Sequence, residues 1–353
     1  MTTTRVSATQ KSLPANTKPT GRIRKWLKRV GLSLLVLVIA LPITGATYQF
    51  VATKIDEHNF LPMGQMIDVG GYSLHLYCVG QNTDGRSTVV LEPGLGATSS
   101  AWAWIQPEIA KTTRVCAYDR AGLGWSAPSP APRDAQHIAT ELHTLLARSQ
   151  TPGPYILVGW SYGGLYVRRY AEQYRNEVSG LVLLDSSSPD QCTSTASGQA
   201  QCASFAKIYS VASFLARLGV MRVMSVFQSA PALPSLQRQA LVAASSATKD
   251  WDAQSAEFLA SPATNAQVHA ARSLGNMPMF VVTAVNHGTP PELEQLWQVW
   301  QKGFTSLSSN SVQQIVPDST HVSIVFDDTD AKASISAILQ VVDTAHTGKS
   351  LVH

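Results

Sequence analysis

The chain has 353 residues, 44% of them hydrophobic, and a formal net charge of +4; this is enough for one large domain or two modest ones and too apolar for general disorder. Eight of its 27 Lys and Arg residues (Arg5, Lys11, Lys18, Arg22, Arg24, Lys25, Lys28, Arg29) precede Val30 with no acidic residue among them, which leaves 19 against 23 Asp and Glu, a net of −4, for the remainder. The bulk of the protein is therefore mildly acidic and lacks the basic stripe that a nucleic-acid partner requires.

Residues 1–29 read as a basic cytoplasmic tail, flexible over its Thr-, Ser- and Pro-containing first 21 residues. From Val30 to Thr53 the sequence carries no charge, and about 20 such residues suffice to cross a bilayer as a helix. Cations concentrated before the span favour a cytoplasmic N-terminus and an exported C-terminal domain. Trp26 and Tyr48 stand where interfacial aromatics would. A cleaved signal peptide is the alternative, with an apolar core from Leu32 to Ile43, a helix break at Pro42 and a small-residue cleavage site at Thr44-Gly45-Ala46, which would make the protein secreted. The long basic leader and the apolar stretch Tyr48–Ala52 favour the single-pass anchor.

Four cysteines fit an oxidising compartment. Cys192 and Cys202 bracket a loop-like insert that a disulfide could close. Cys78 and Cys116 lie on two separate apolar runs. No Cys-x-x-Cys or Cys/His cluster has zinc spacing, and nothing implies a metal or an organic cofactor. Four buried thiols are the other reading.

Along the chain, Met66–Val69 and Tyr72–Val79 flank Gly70-Gly71 as a hairpin. Thr88–Leu91 leads into Pro93-Gly94-Leu95-Gly96, and Arg114–Tyr118 into the Gly-rich run Asp119–Ser126, which we read as structural. Asp134 caps a predicted helix with Ile138, Leu142, Leu145 and Leu146 at helical spacing. Tyr155–Trp160 is a β-prone run that enters Gly159-Trp160-Ser161-Tyr162-Gly163, and a predicted helix over Leu165–Tyr174 follows, with Arg168, Arg169 and Glu172 expected in solvent. Leu181–Leu184 ends in Asp185. Met279–Val285 and Val312–Val316 read as late strands, with a helix over Pro291–Lys302 between them. Apolar strands alternating with helices predict a largely parallel sheet covered on both faces.

These ordered motifs resemble the α/β-hydrolase fold superfamily over about residues 60–345. The resemblance implies an α/β fold with a mostly parallel eight-stranded sheet, here residues 60–353, and a helical cap at 187–276. The family's sheet order sets its second strand beside its fourth, so a Cys78–Cys116 disulfide is implied. Gly-x-Ser-x-Gly between a strand and a helix makes Ser161 the nucleophile, held exposed on a strained turn. His321, after the last strand, takes the position of the family's base, with His287 the reserve. The seventh strand ends at Asn286 without a carboxylate. The acid therefore moves to the family's alternative position after the sixth strand, Asp185, with Asp190 the second choice; Asp318 turns its loop. By matching onto the family, the N–H groups of Leu95 and Tyr162 form the oxyanion hole, and Pro93 stands where a histidine side chain often supports that loop.

The implied activity is hydrolysis of a carboxylic ester, small-molecule or lipid-like, through an acyl-enzyme. A serine at the elbow argues against the dehalogenase and epoxide-hydrolase branches, whose nucleophile is Asp. The alternatives are a binding protein on a hydrolase fold and a cofactor-free haloperoxidase or acyltransferase using the same three residues. In the cap, Phe214–Met224 reads as helical. Met221, Met224, Val226 and Phe227 either pack the cap internally or line an acyl pocket or a lipid contact.

Overall fold

The computed structural model describes residues 21–82, 84–224, 232–270 and 273–351. A 39-residue helix, α1 (Gly21–Asn59), precedes strands β1 (Gln65–Asp68), β2 (Ser73–Val79) and β3 (Thr88–Glu92). One helical turn, α2 (Gln106–Ile109), leads to β4 (Val115–Tyr118), α3 (Ala135–Arg148), β5 (Tyr155–Trp160), α4 (Gly163–Gln173) and β6 (Val178–Leu184). Then come the helices α5 (Ala196–Arg217), α6 (Val220–Met224), α7 (Ser235–Ser245), α8 (Thr248–Leu259) and α9 (Ser261–His269), with no strand among the described residues of this insert. The chain returns to the sheet with β7 (Met279–Thr283), α10 (Pro291–Phe304) and β8 (Ser311–Ile315), and ends in α11 (Ser323–Phe326) and α12 (Ala331–Thr347).

The eight strands lie in the order β1-β2-β4-β3-β5-β6-β7-β8. β1 pairs with β2, and β2 with β4, antiparallel; the remaining neighbours are parallel. Every residue of β3, β4, β5 and β7 is buried. That is why these strands read as unbroken apolar runs: helices cover both faces. Successive side chains divide between two cores, as the two-residue period of a strand requires. Val89, Leu91, Val158 and Val182 pack with Ile338 and Val341 of α12 on one face. Val90, Leu157, Leu181 and Leu183 pack with Leu142, Leu145 and Tyr170 of α3 and α4 on the other.

The implied strand neighbours are present, and Cys78 stands opposite Cys116 in the β2–β4 register and is bonded to it. Cys192 is bonded to Cys202. In a chain-entropy picture, closing the 38-residue span removes about 3 to 4 kcal/mol of unfolded-state freedom. Asp134 caps α3 as expected, accepting from the His137 N–H.

Three expectations are corrected. Arg168 is not in solvent: it is buried on α4, with its guanidinium over the Phe304 ring, and burial lowers its pKa to about 10. Its register carries it to the face that packs on α10, whereas Arg169 and Glu172 pair with each other at the surface. The predicted helix over Phe214–Met224 is two helices, because the chain turns at Leu218-Gly219, where Gly219 has φ +73°. Finally, α1 runs unbroken through Pro42 to Asn59. Its apolar stretch is long enough to cross a membrane and is exposed from Leu32 to Ile43. Its last turns are docked: Gln49 Nε2 donates to the Ser246 carbonyl at 2.8 Å, Arg222 bonds Gln49 and Asp56, and Trp125 Nε1 donates to the Phe60 carbonyl.

Candidate active site

The parallel strands bring their C-terminal ends to one edge, where loops following β3, β5, β6 and β8 meet. Ser161 follows β5 directly with φ +56°, a left-handed conformation rare for a residue with a side chain. The turn is possible only because its neighbours lack Cβ atoms. A Cβ on Gly159 would stand 2.5 Å from Val167 Cγ2 and 2.6 Å from the Gly163 carbonyl oxygen, and one on Gly163 would stand 2.7 Å from the Pro93 carbonyl oxygen. The strain is held by both flanks: Ser161 N–H donates to the Leu184 carbonyl, and the Ser161 carbonyl accepts from Gly164 and Ser187.

His321 arrives in the loop after β8. Its carbonyl accepts from Trp160 Nε1 at 2.9 Å, and its ring lies against Trp160 and edge-on to Trp297. Its Nε2 is 3.0 Å from Ser161 Oγ and its Nδ1 is 2.6 Å from Asp185 Oδ2. Because the carboxylate can only accept, Nδ1 carries the proton and Nε2 faces the serine as an acceptor. Asp185 itself sits just past β6 with φ +43° and is fully buried. Burial alone would raise its pKa, but the hydrogen bonds from His287 and His321 outweigh that and hold it at about 2.

The serine, histidine and aspartate singled out in the sequence are thus brought together. The other candidates go elsewhere. Asp190 pairs with His269 at 2.8 Å on the surface of the cap, and Asp318 turns an exposed loop at φ +58°. His287 does not face Ser161. Its Nε2 lies 2.7 Å from Asp185 Oδ2 and its Nδ1 lies 2.8 Å from Glu294 Oε1. Met221 is buried against Ala212, Ala216 and Trp251, so it packs inside the cap, while Met224 is exposed. Val226 and Phe227 lie outside the described residues.

The loop after β3 lies against the elbow: a Cβ on Gly94 would be 3.1 Å from Ser161 Cβ. The N–H groups of Leu95 and Tyr162 donate to no acceptor among the described residues. The Tyr162 side chain turns away into the cap, packing on Phe258 and bonding Ser261 Oγ through its hydroxyl at 2.9 Å.

Arg120 is the residue that the sequence reading missed. It is fully buried, and its guanidinium donates to the Pro93 carbonyl at 2.6 Å, the Gly94 carbonyl at 2.8 Å and the carboxylates of Glu92 and Glu257. One cation therefore ties the β3 loop to α8 of the cap. Burial pushes the Glu92 carboxyl up to about 7 against the pull of Arg120. This arginine does the loop-holding that a side chain at Pro93 cannot. A charged residue inside a Gly-rich turn was the available signal; its partner Glu257 had none. Likewise Glu294, Trp297, Gln298 and Gln301 form a polar line at helical spacing on α10, and they bond His287, Asp185, the Ala284 carbonyl and the Ser186 carbonyl.

Donor atoms of Asp185, His287 and His321 all lie within 4.8 Å of one another. A metal there would have to displace the hydrogen bonds just described, so the atoms fit a proton-transfer chain better than a ligand set.

A family model described as the alpha/beta hydrolase family matches residues 89–334. Uncharacterized protein YqjL of Bacillus subtilis is 27% identical over 243 residues, 68% of this chain and 79% of that protein. Uncharacterized protein YbdG of the same organism is 27% identical over 169 residues, 47% of this chain and 51% of that protein. The chain also spans 51% of a Schizosaccharomyces pombe relative, so two of these three matches cover about half of the relative's length. Among solved structures, Cfl2 from Burkholderia cenocepacia superposes with a TM-score of 0.63 at 20% identity, covering 77% of this chain and 94% of that one. The epoxide hydrolase CorEH superposes at 0.61 and 17%, covering 79% and 97%. At such identities the likeness is one of fold.

Proposed function

The chain belongs to the alpha/beta hydrolase family, and from that premise we propose that it is a serine hydrolase that cleaves carboxylic esters through an acyl-enzyme. One observation carries the reading: Ser161 Oγ lies 3.0 Å from His321 Nε2, whose Nδ1 lies 2.6 Å from a buried, ionised Asp185. Ser161 Oγ attacks the ester carbonyl carbon while its proton passes to His321 Nε2. The oxyanion so formed is held by the N–H groups of Leu95 and Tyr162. The carbon–oxygen bond to the alcohol breaks, and the imidazolium returns its proton to the departing alkoxide. Water, activated by the same histidine, then releases the acid and restores Ser161.

The substrate side is read from the outside of the cap. Helix α5 presents Ile208, Val211 and Phe214 to solvent, each more than half exposed, and α6 adds Val223 and Met224. With α1 as a single-pass anchor, N-terminus in the cytoplasm, these side chains suit an amphiphilic, lipid-like ester. The protein as a whole is then a membrane-tethered enzyme whose catalytic domain faces away from the cytoplasm.

A fluorophosphonate probe tests the reading. Wild-type protein should take the label and Ser161→Ala should not; a folded wild type that takes none sinks it. A p-nitrophenyl ester series of increasing chain length on the full chain then tests the substrate class, with kcat/KM rising with acyl length as the expected result.

A further inference from the structure

The acid of this site serves two histidines. Asp185 Oδ2 accepts from His321 Nδ1 at 2.6 Å and from His287 Nε2 at 2.7 Å, while Oδ1 accepts from Trp297 Nε1 at 2.8 Å and from the Ala284 N–H at 3.1 Å. Beyond His287 stands a second carboxylate: Nδ1 is 2.8 and 3.0 Å from the two oxygens of Glu294, which also accepts from the His287 backbone N–H and from Gln298. His287 is nearly buried, packed on the Trp297 ring at 4.7 Å, with its ring centre 5.9 Å from that of His321.

Both ring nitrogens of His287 therefore face carboxylate oxygens, and an ionised carboxylate only accepts. A neutral imidazole has one N–H and would turn a lone pair toward one of the two acids. The arrangement is satisfied when both nitrogens carry a proton. The groups facing this ring are Asp185 at the end of β6, Glu294 and Trp297 on α10, and His321 from the loop after β8. Burial opposes the charge, and the two carboxylates more than offset it, so the His287 pKa is raised.

The geometry points to His287 as a positioning residue, an imidazolium clamped between Asp185 and Glu294 that sets the basicity of His321. The proposal rests on the serine-hydrolase reading for its consequence, though not for the protonation itself. Its consequence follows from charge. Asp185 alone favours the protonated form of His321. A fixed cation on the same carboxylate oxygen offsets part of that attraction and so favours the neutral imidazole that accepts the serine proton. It also occupies the second lone-pair direction of Oδ2, leaving one for His321, so the carboxylate cannot rotate away.

Two substitutions in the full-length protein separate this role from packing. Glu294→Gln keeps the shape and lets a neutral His287 donate from Nε2 to Asp185 while accepting at Nδ1. His287→Gln retains a donor to Asp185 without charge. Both should move the acid limb of kcat/KM for a soluble p-nitrophenyl ester to higher pH by about one unit, whatever the plateau rate becomes. If the limb stays in place while the rate falls at every pH, the role is structural only and the proposal fails. A measurement on the wild type needs neither variant to fold nor any turnover. Nitrogen NMR of 15N-histidine-labelled protein, with each ring assigned to its residue so that His75 on Asp119 is told apart, should show the His287 ring with both nitrogens protonated above the ordinary histidine value of about 6.5. A singly protonated His287 there overturns the proposal, whatever the activity. A wild type that hydrolyses no ester and takes no probe yet shows the doubly protonated ring defeats the hydrolase reading and leaves the clamp standing.

Discussion

Two buried aspartates, each bonded to histidine, occupy the same edge of the sheet. One, Asp185, holds His321; the other, Asp119, just past β4, holds His75 Nδ1 at 3.0 Å. Both aspartates are fully buried strand-end carboxylates with lowered pKa, kept ionised against burial by hydrogen bonds from histidine (two for Asp185, one for Asp119), and each also accepts from backbone N–H groups. The difference is what the far ring nitrogen meets. His321 Nε2 meets the hydroxyl of a strained serine; His75 Nε2 meets the Met63 carbonyl, and the ring is closed in by Trp125. An aspartate–histidine pair is thus common structural stock. It can serve chemistry only where its free nitrogen faces a nucleophile, as His321 Nε2 faces Ser161 Oγ at 3.0 Å.

Substitutions at the two pairs should therefore part cleanly. Ser161→Ala and His321→Ala should each cut ester turnover by about 10⁴-fold or more, and the double variant should be no worse than either alone, because the groups act as a unit. Asp185→Asn should cost about 10³- to 10⁴-fold in kcat by favouring the wrong tautomer of His321. If Asp190→Asn did this and Asp185→Asn did not, the assignment of the acid would be reversed.

At the second pair, Asp119→Asn should leave kcat/KM of the surviving folded enzyme nearly unchanged and lower stability by about 3 kcal/mol in a denaturant titration, since an NH2 group in place of Oδ2 takes the acceptor from buried His75 and from the Trp125 N–H, while Oδ1 still accepts from Ser99. A large loss of kcat with an unchanged midpoint would erase the contrast.

The same pair predicts a pH signature. The raised His75 pKa means that its stabilising contribution is complete below the unfolded value, about 6.5, and is lost as pH rises through the folded value. The lowered Asp119 pKa means that its contribution is complete above about 3.9 and is lost as pH falls through the folded value. The Tm difference between wild type and His75→Gln should accordingly be widest between about pH 4 and 6.5; a difference independent of pH would contradict the ion pair. The smallest effect belongs to a third, more exposed pair, Asp134 with His137. Asp134→Ala should cost about 1 kcal/mol through the lost cap of α3, and His137→Ala next to nothing.

How much of this could be read in advance differs by region. The sheet strands, the hairpin, the capped helix α3 and the elbow were legible because each writes a local rule into adjacent residues: unbroken apolar runs where both faces are covered, Gly-Gly at a hairpin turn, an Asp before helical periodicity, glycines two residues either side of a serine. Arg168 was misread because a single charged residue on an amphipathic helix does not reveal that another helix covers it. The cap was legible only as an interruption of the strand rhythm.

By itself the sequence determined the ingredients and their order: a basic leader and an apolar helix, an α/β alternation, a Gly-x-Ser-x-Gly elbow, an aspartate after the sixth strand and a histidine after the eighth. These follow from interactions within a few residues of one another. Only the tertiary structure decided which charges share a space. Residues 120 and 257, and residues 185, 287 and 321, lie far apart along the chain, and burial makes their meeting consequential: in a low-dielectric interior an unpaired charge is untenable, so each must find its partner through the fold. Ser161 was conspicuous from its neighbours in sequence; the groups behind His321, and those that hold the loop beside the serine, emerged from neighbours in space.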